Sequence, residues 1–95
     1  MILVRKYKDM YGDVIVLCDK DLYGKVFEEG DKILNINEFF KGEERENVSK
    51  EEIESSYFVY AVGRESINIL KKYNFIEESD VKTIRGIPYV FLMFL

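Results

Sequence analysis

The 95-residue sequence contains no histidine and no tryptophan, and it has one cysteine, Cys18, and one proline, Pro88. These absences exclude an intrachain disulfide, a Cys/His zinc site and a Ser-His or Cys-His catalytic pair. Any chemistry would have to use Cys18, carboxylates, lysines or tyrosines. Long apolar segments are missing too. The N-terminal apolar run stops at Val4, before Arg5 and Lys6, well short of a secretory h-region. The run Val90-Phe91-Leu92-Met93-Phe94-Leu95 is far shorter than the about 20 residues of a spanning helix. With the lone thiol, this predicts a cytoplasmic protein with no membrane partner. Gly24-Lys25 is not a phosphate loop, because the upstream glycine and the hydroxyl after the lysine are missing. No cofactor is implied, and no carboxylate spacing matches a known metal-ligand set, so no metal is expected.

What is present is an ordinary folded composition, 47% hydrophobic, 34% charged and 15% aromatic, in a length suited to one core. A single domain over residues 1–95 is expected. Net charge is −4, and the acidic residues concentrate between Val26 and Gly63. That distribution argues against DNA as a partner, since nucleic-acid binding needs clustered Lys and Arg. A local basic patch of Arg5, Lys6 and Lys8 with Arg64, Lys71 and Lys72, extended by Lys82 and Arg85, stays open, with Tyr7 or Tyr11 able to stack on an unpaired base.

The clearest punctuation lies between Val48 and Tyr73. Ser49 and Glu52 form an S-x-x-E capping box, flanked by Val48 and Ile53 as a hydrophobic staple. A helix is predicted from Lys50 to Val62, ended by Gly63. A second follows with Ile67, Leu70 and Tyr73 on one side and Asn74 as its terminator. Ile2–Lys8 and Val14–Cys18 read as a hairpin, the second strand apolar at every position and therefore central. Asp19 can cap a single turn that Gly24 ends. Lys25–Asp31 is ambiguous, and Lys32–Asn37 alternates as a third strand. Residues 41–47 read as a mobile charged loop. Val81–Arg85, a Gly86–Pro88 turn and a final strand from Tyr89 to the end complete the chain. The predicted fold is α+β, a mixed or antiparallel sheet of about five strands covered by a helical hairpin. The apolar tail must be covered, either as a buried central strand or as a homo-oligomer interface through Val90–Leu95.

Two candidate binding sites emerge, and no catalytic residue is assigned. In the first, Cys18 and Gly24 would shape a pocket while Asp19 and Lys25 fix a polar partner. In the second, Arg64 and Arg85 would meet phosphate or carboxylate groups, with Gly63 and Gly86 allowing close backbone approach. An enzyme using Cys18 as nucleophile, or a carboxylate-bound metal, is the rival reading.

Several short stretches, in order, carry a family resemblance. They are Val14-Ile15-Val16-Leu17-Cys18-Asp19, Leu22-Tyr23-Gly24-Lys25, Phe27-Glu28-Glu29-Gly30-Asp31, Phe39-Phe40-Lys41-Gly42, Ala61-Val62-Gly63-Arg64-Glu65-Ser66 and Ile84-Arg85-Gly86-Ile87-Pro88. Together they resemble a small archaeal family known as domain of unknown function 424, over essentially the whole chain. The resemblance implies an archaeal cytoplasmic protein and no reaction. It suggests a translation-associated accessory role with a protein or ribonucleoprotein partner. The sequence departs from the family pattern at Tyr60, where an asparagine is common, and at Tyr89-Val90-Phe91, where His-Ala-Gln is common.

Overall fold

A computed structural model describes residues 1–94. Strands β1 (Ile2–Asp9) and β2 (Gly12–Asp19) form the expected hairpin, paired antiparallel from Asp9↔Gly12 to Ile2↔Asp19. Asp9 closes its turn by accepting from the Tyr11 and Gly12 N–H groups, an Asx-type local bond. Strands β3 (Val26–Glu29) and β4 (Lys32–Asn35) make a separate two-stranded ribbon about Gly30. This resolves the ambiguous segment in favour of extended chain. Strand β5 (Glu43–Arg45) then pairs with the first residues of β1. It lies inside the stretch expected to be a mobile loop. Gly42 explains why, since a Cβ there would run into the Val4 carbonyl, so glycine lets this segment press against the edge of β1.

The helix predicted from Lys50 to Val62 is corrected. Helix α1 ends at Glu54, and Phe58–Val62 forms strand β6 between β2 and a later strand. The cap is real, with Ser49 Oγ accepting from the Glu52 N–H at 3.1 Å, and the staple residues Val48 and Ile53 are fully buried. A good N-cap starts a helix but does not sustain one. Phe58-Val59-Tyr60-Ala61-Val62 is aromatic and β-branched, and a place between two strands satisfies its backbone on both sides. Gly63 accordingly precedes a helix instead of ending one: at φ 104° it is the N-cap of α2 (Arg64–Lys72). Asn74 does end α2 as expected, with φ 62°. Its N–H donates to the Lys71 carbonyl, and that of Phe75 to Leu70, the two bonds of a Schellman motif. The helical hairpin is therefore a short helix, a strand and a second helix, while the α+β class stands.

Strands β7 (Lys82–Ile84) and β8 (Ile87–Met93) complete a six-stranded mixed sheet of order β5-β1-β2-β6-β8-β7. Only β2 and β6 are parallel. Leu95, the end of the expected last strand, lies outside the described residues. The β7–β8 turn is Arg85-Gly86, with φ 52° and 78°, and Pro88 sits within β8 instead of in the turn. Two consecutive positive φ values belong to a type I′ hairpin, where asparagine is preferred to arginine at the first position. Arg85→Asn should therefore raise the unfolding free energy by about 0.5 kcal/mol, read as a higher urea midpoint at constant slope. No gain would show that the Arg85 side chain contributes elsewhere.

Both faces of the sheet are covered. On one, Ile2, Val4, Ile15, Leu17, Val59, Ala61 and Val90 pack against Ile67 and Leu70 of α2 and against Val48, Ile53 and Ile76. On the other, Val14, Val16, Cys18 and Val62 meet Leu22, Leu34, Ile36 and Phe40 from the β3–β4 ribbon and its flanking turns. That is why β2 is apolar at successive positions: Val14 through Cys18 are buried alternately on the two faces.

Glu52 does not turn back to its own cap. Its carboxylate takes two bonds of 2.8 Å from Arg45 on β5 and lies 3.1 Å from Lys6 on β1, clamping α1 to the sheet edge. The bidentate Arg45 bond, supported by Lys6 and opposed by desolvation, lowers its pKa from 4.5 to about 2. A carboxylate with a lowered folded pKa contributes stability that is fully present above its unfolded pKa and is lost as pH falls through the folded one. The clamp should thus contribute about 1–2 kcal/mol, allowing for partial exposure, above pH 4.5 and nothing below pH 2. Glu52→Gln should narrow its stability deficit against the native protein over that window; a pH-independent deficit would mean the pair acts through packing alone.

Candidate functional site

The parallel pairing of β2 with β6 sets Cys18 opposite Val62. Cys18 and Asp19 of one site proposed from sequence therefore meet Gly63 and Arg64 of the other at the carboxyl ends of these strands. Asp19 ends β2, and Gly63 and Arg64 lead into α2. The carboxylate of Asp19 is buried and accepts from the Glu65 N–H at 3.0 Å, the Ser66 N–H at 2.9 Å and the Ser66 hydroxyl at 2.9 Å. It caps the first turn of α2 from 46 residues away in sequence. The expected local cap on the turn Lys20–Leu22 is absent, as Asp19 makes no side-chain bond there. A long-range partner wins because the α2 terminus presents free N–H groups where the strand delivers the carboxylate.

This geometry decides what the strand ends can do. A helix N-terminus beside a strand end is a ready site for anions, but here the protein's own carboxylate fills it. The cleft outside it, about 410 Å³, is lined by Asp19, Asp21, Leu22, Gly63, Arg64, Glu65, Ile87 and Pro88. Glu65 is held by the Met1 ammonium at 3.2 Å. A neighbouring cleft of about 300 Å³ joins Arg64 to Lys71, Glu78 and Gly86. So Gly86 and Arg64 do share a surface, whereas the Arg85 side chain is not among the lining groups, and its N–H is bonded to Glu29 at 2.7 Å. Gly24 and Lys25 stand apart. Gly24, at φ 86°, donates to the Ile36 carbonyl, and the Lys25 carbonyl accepts from Ile36, which extends the pairing of the β3–β4 ribbon.

Cys18 is fully buried, and its thiol is pushed up to about 12 by burial, then by the charges of Asp19 and Asp21. A thiol in that range is neutral at physiological pH and is no nucleophile. Among the described residues no three Cys, Asp or Glu side chains converge as a metal site requires. Arg5 is set apart from the helical half of the basic patch. Arg5 lies in β1 opposite Val16, on the ribbon face, whereas α2 covers the other face. Lys6 and Lys71 are paired with Glu52 and Glu78.

What sequence reading missed is an aromatic surface beyond the ribbon. Phe58 and Tyr60 of β6 stand opposite Met93 and Phe91 of β8, all on the face carrying Val62 and Cys18. Tyr60 and Phe91 stack with centroids 4.4 Å apart, and Phe40, Phe39 and Tyr7 extend the row at 5.3, 5.2 and 6.2 Å. Arg5 lies 4.6 Å from the Tyr7 ring centre and 5.1 Å from that of Phe39, and it donates to the Phe39 carbonyl. Phe39, Phe91 and Met93 are exposed. Burial, with the charges of Tyr89 and Cys18 behind it, raises the Tyr60 phenol pKa, so it stays a neutral O–H. The signal was the two-residue period of Phe58/Tyr60 and Tyr89/Phe91/Met93, hidden once Phe58–Val62 was read as helix.

Fold and surface together define a small α+β domain with a mixed sheet, in which Asp19 fills the N-terminus of α2 at the strand ends and one sheet face carries an exposed aromatic row. The chain belongs to the family described as "Protein of unknown function (DUF424)", whose model matches residues 8–95. It is similar in structure to an uncharacterized conserved protein from Methanopyrus kandleri, solved by crystallography, at TM-score 0.83 and 19% identity over 99% of this chain and 91% of that one. No curated protein matches it.

Proposed function

We propose that this protein is a non-catalytic binding module of the archaeal cytoplasm, translation-associated, whose partner is a protein docked on the aromatic face. The observation that carries the reading is the Tyr60–Phe91 stack continued into exposed Phe39, Phe91 and Met93. Aromatic and methionine side chains at a surface, with one arginine among them, match the composition of protein-interface centres. RNA is the weaker fit. The chain carries net charge −4, and Arg5, the cation beside the rings, is already stacked on Tyr7 and Phe39, whereas a base-stacking platform needs cations free for phosphates.

The test is affinity capture of tagged native protein and of Phe39→Asp from archaeal lysate, each with and without nuclease. Proteins retained through nuclease by the native chain and lost by Phe39→Asp support the reading. Partners released by nuclease would place the module on RNA and overturn it.

A further inference from the structure

We infer that β8 closes a symmetric homodimer by edge-to-edge pairing across Phe91 and Met93. The inference concerns the strand's backbone edge and shares Phe91 and Met93 with the aromatic face. Along β8 the direction of each backbone amide is set by its neighbours. The Pro88 carbonyl accepts from Gly63, and the Phe94 N–H donates to the Tyr57 carbonyl, so even-numbered residues face β6. Odd-numbered residues therefore face the other way. Tyr89 meets Lys82 of β7, where that strand stops. Beyond it, no strand among the described residues pairs with the outer edge at Phe91 and Met93.

These two residues are also the exposed apolar side chains of the strand, 52% and 59% accessible. Native sheets blunt such an edge with charge, proline or a covering segment. The other long edge is treated that way, since β5 covers the start of β1 and Arg5, Lys6 and Lys8 occupy the rest. The β8 edge carries no charge from Val90 to Phe94.

The occupant that fits is a second copy of this chain. An antiparallel pair centred on Leu92 sets Phe91 against Met93 of the partner subunit, so each residue exchanges both its N–H and its C=O bond. Shifting the centre to Val90 would call on Tyr89, already used by β7. The free window is about 7 Å long, so a flexible peptide would gain few bonds for the entropy of ordering itself. A strand already held by β6 is spared that ordering cost. The side chains agree on both faces: Phe91 meets a methionine on one, and on the other Leu92 meets its own copy beside Val90 and Phe94, which pack with the α2 core.

Two measurements on purified protein decide this. Sedimentation equilibrium from micromolar to millimolar concentration should show a reversible dimer. Met93→Pro deletes an N–H that has no backbone partner among the described residues and should weaken association about 100-fold; Met93→Leu should leave it intact. Amide exchange should find Phe91 and Met93 protected in step with the dimer fraction, while Val90, Leu92 and Phe94 are protected at all concentrations. A monomer throughout would overturn the inference. So would a dimer unaffected by Met93→Pro, or one whose Phe91 and Met93 amides exchange freely.

Discussion

Gly63→Ala is expected to lower the unfolding free energy by about 4 kcal/mol, among the largest losses a single methyl group can produce. Two costs combine. At φ 104° an L-residue is strained by about 1–3 kcal/mol, and the added methyl would overlap the Asp19 carboxyl group. To relieve that overlap the carboxylate must retreat, and the N–H groups of Glu65 and Ser66 then lose their acceptor. Gly24→Ala is the control: φ is 86° there too, but no atom stands within 4 Å of the new methyl. It should cost only about 1 kcal/mol, the penalty of the conformation alone. Urea denaturation of both variants gives the comparison. Equal losses would show that the approach of Asp19 to Gly63 is looser than the geometry described.

Gly63 also shows where sequence reasoning succeeded and where it failed. The residue was singled out correctly as a punctuation point and misread in direction, because a glycine after an apolar run signals a helix end and a strand-to-helix turn equally well. Arbitration needed the fact that Phe58–Val62 has strand neighbours on both sides, which no local window contains. The hairpin of β1 and β2 was legible because its turn residues and its two flanking strand segments are local. The two-sided burial of β2 was legible from an uninterrupted apolar run. The Ser49 cap and the Asn74 stop were legible for the same reason: each is a bond within a few residues. Asp19 was not, since its partners lie 46 and 47 residues away. The aromatic face failed for a further reason. It is assembled from β1, the turn at Glu38–Phe40, β6 and β8, so none of its contributors looks like a motif alone. Of the residues singled out for a binding site, Asp19 caps α2, a role that only the assembled fold makes visible.

Asp19→Ala should cost about 3 kcal/mol. One buried carboxylate satisfies two backbone donors and the Ser66 hydroxyl, and Ser66 is itself fully buried. Removing the acceptor leaves the two buried Ser66 donors without a partner, which is worse than losing an exposed cap worth about 1 kcal/mol. Asp19→Asn should fall between, near 1–2 kcal/mol, because the amide oxygen can serve Ser66 while the amide nitrogen turns a donor toward Glu65. The two large predictions are coupled. In the double variant Asp19→Ala with Gly63→Ala, the methyl no longer meets a carboxylate, so the combined loss should be smaller than the sum by about 1–2 kcal/mol. Additive losses would mean that Gly63 is costly through its φ angle alone. The same variant separates fold from function: Asp19 lies at the strand ends, away from Phe39 and Phe91, so Asp19→Ala that remains folded should retain every partner that Phe39→Asp loses. If it loses them as well, the strand-end cleft and its Arg64, instead of the aromatic face, form the binding surface.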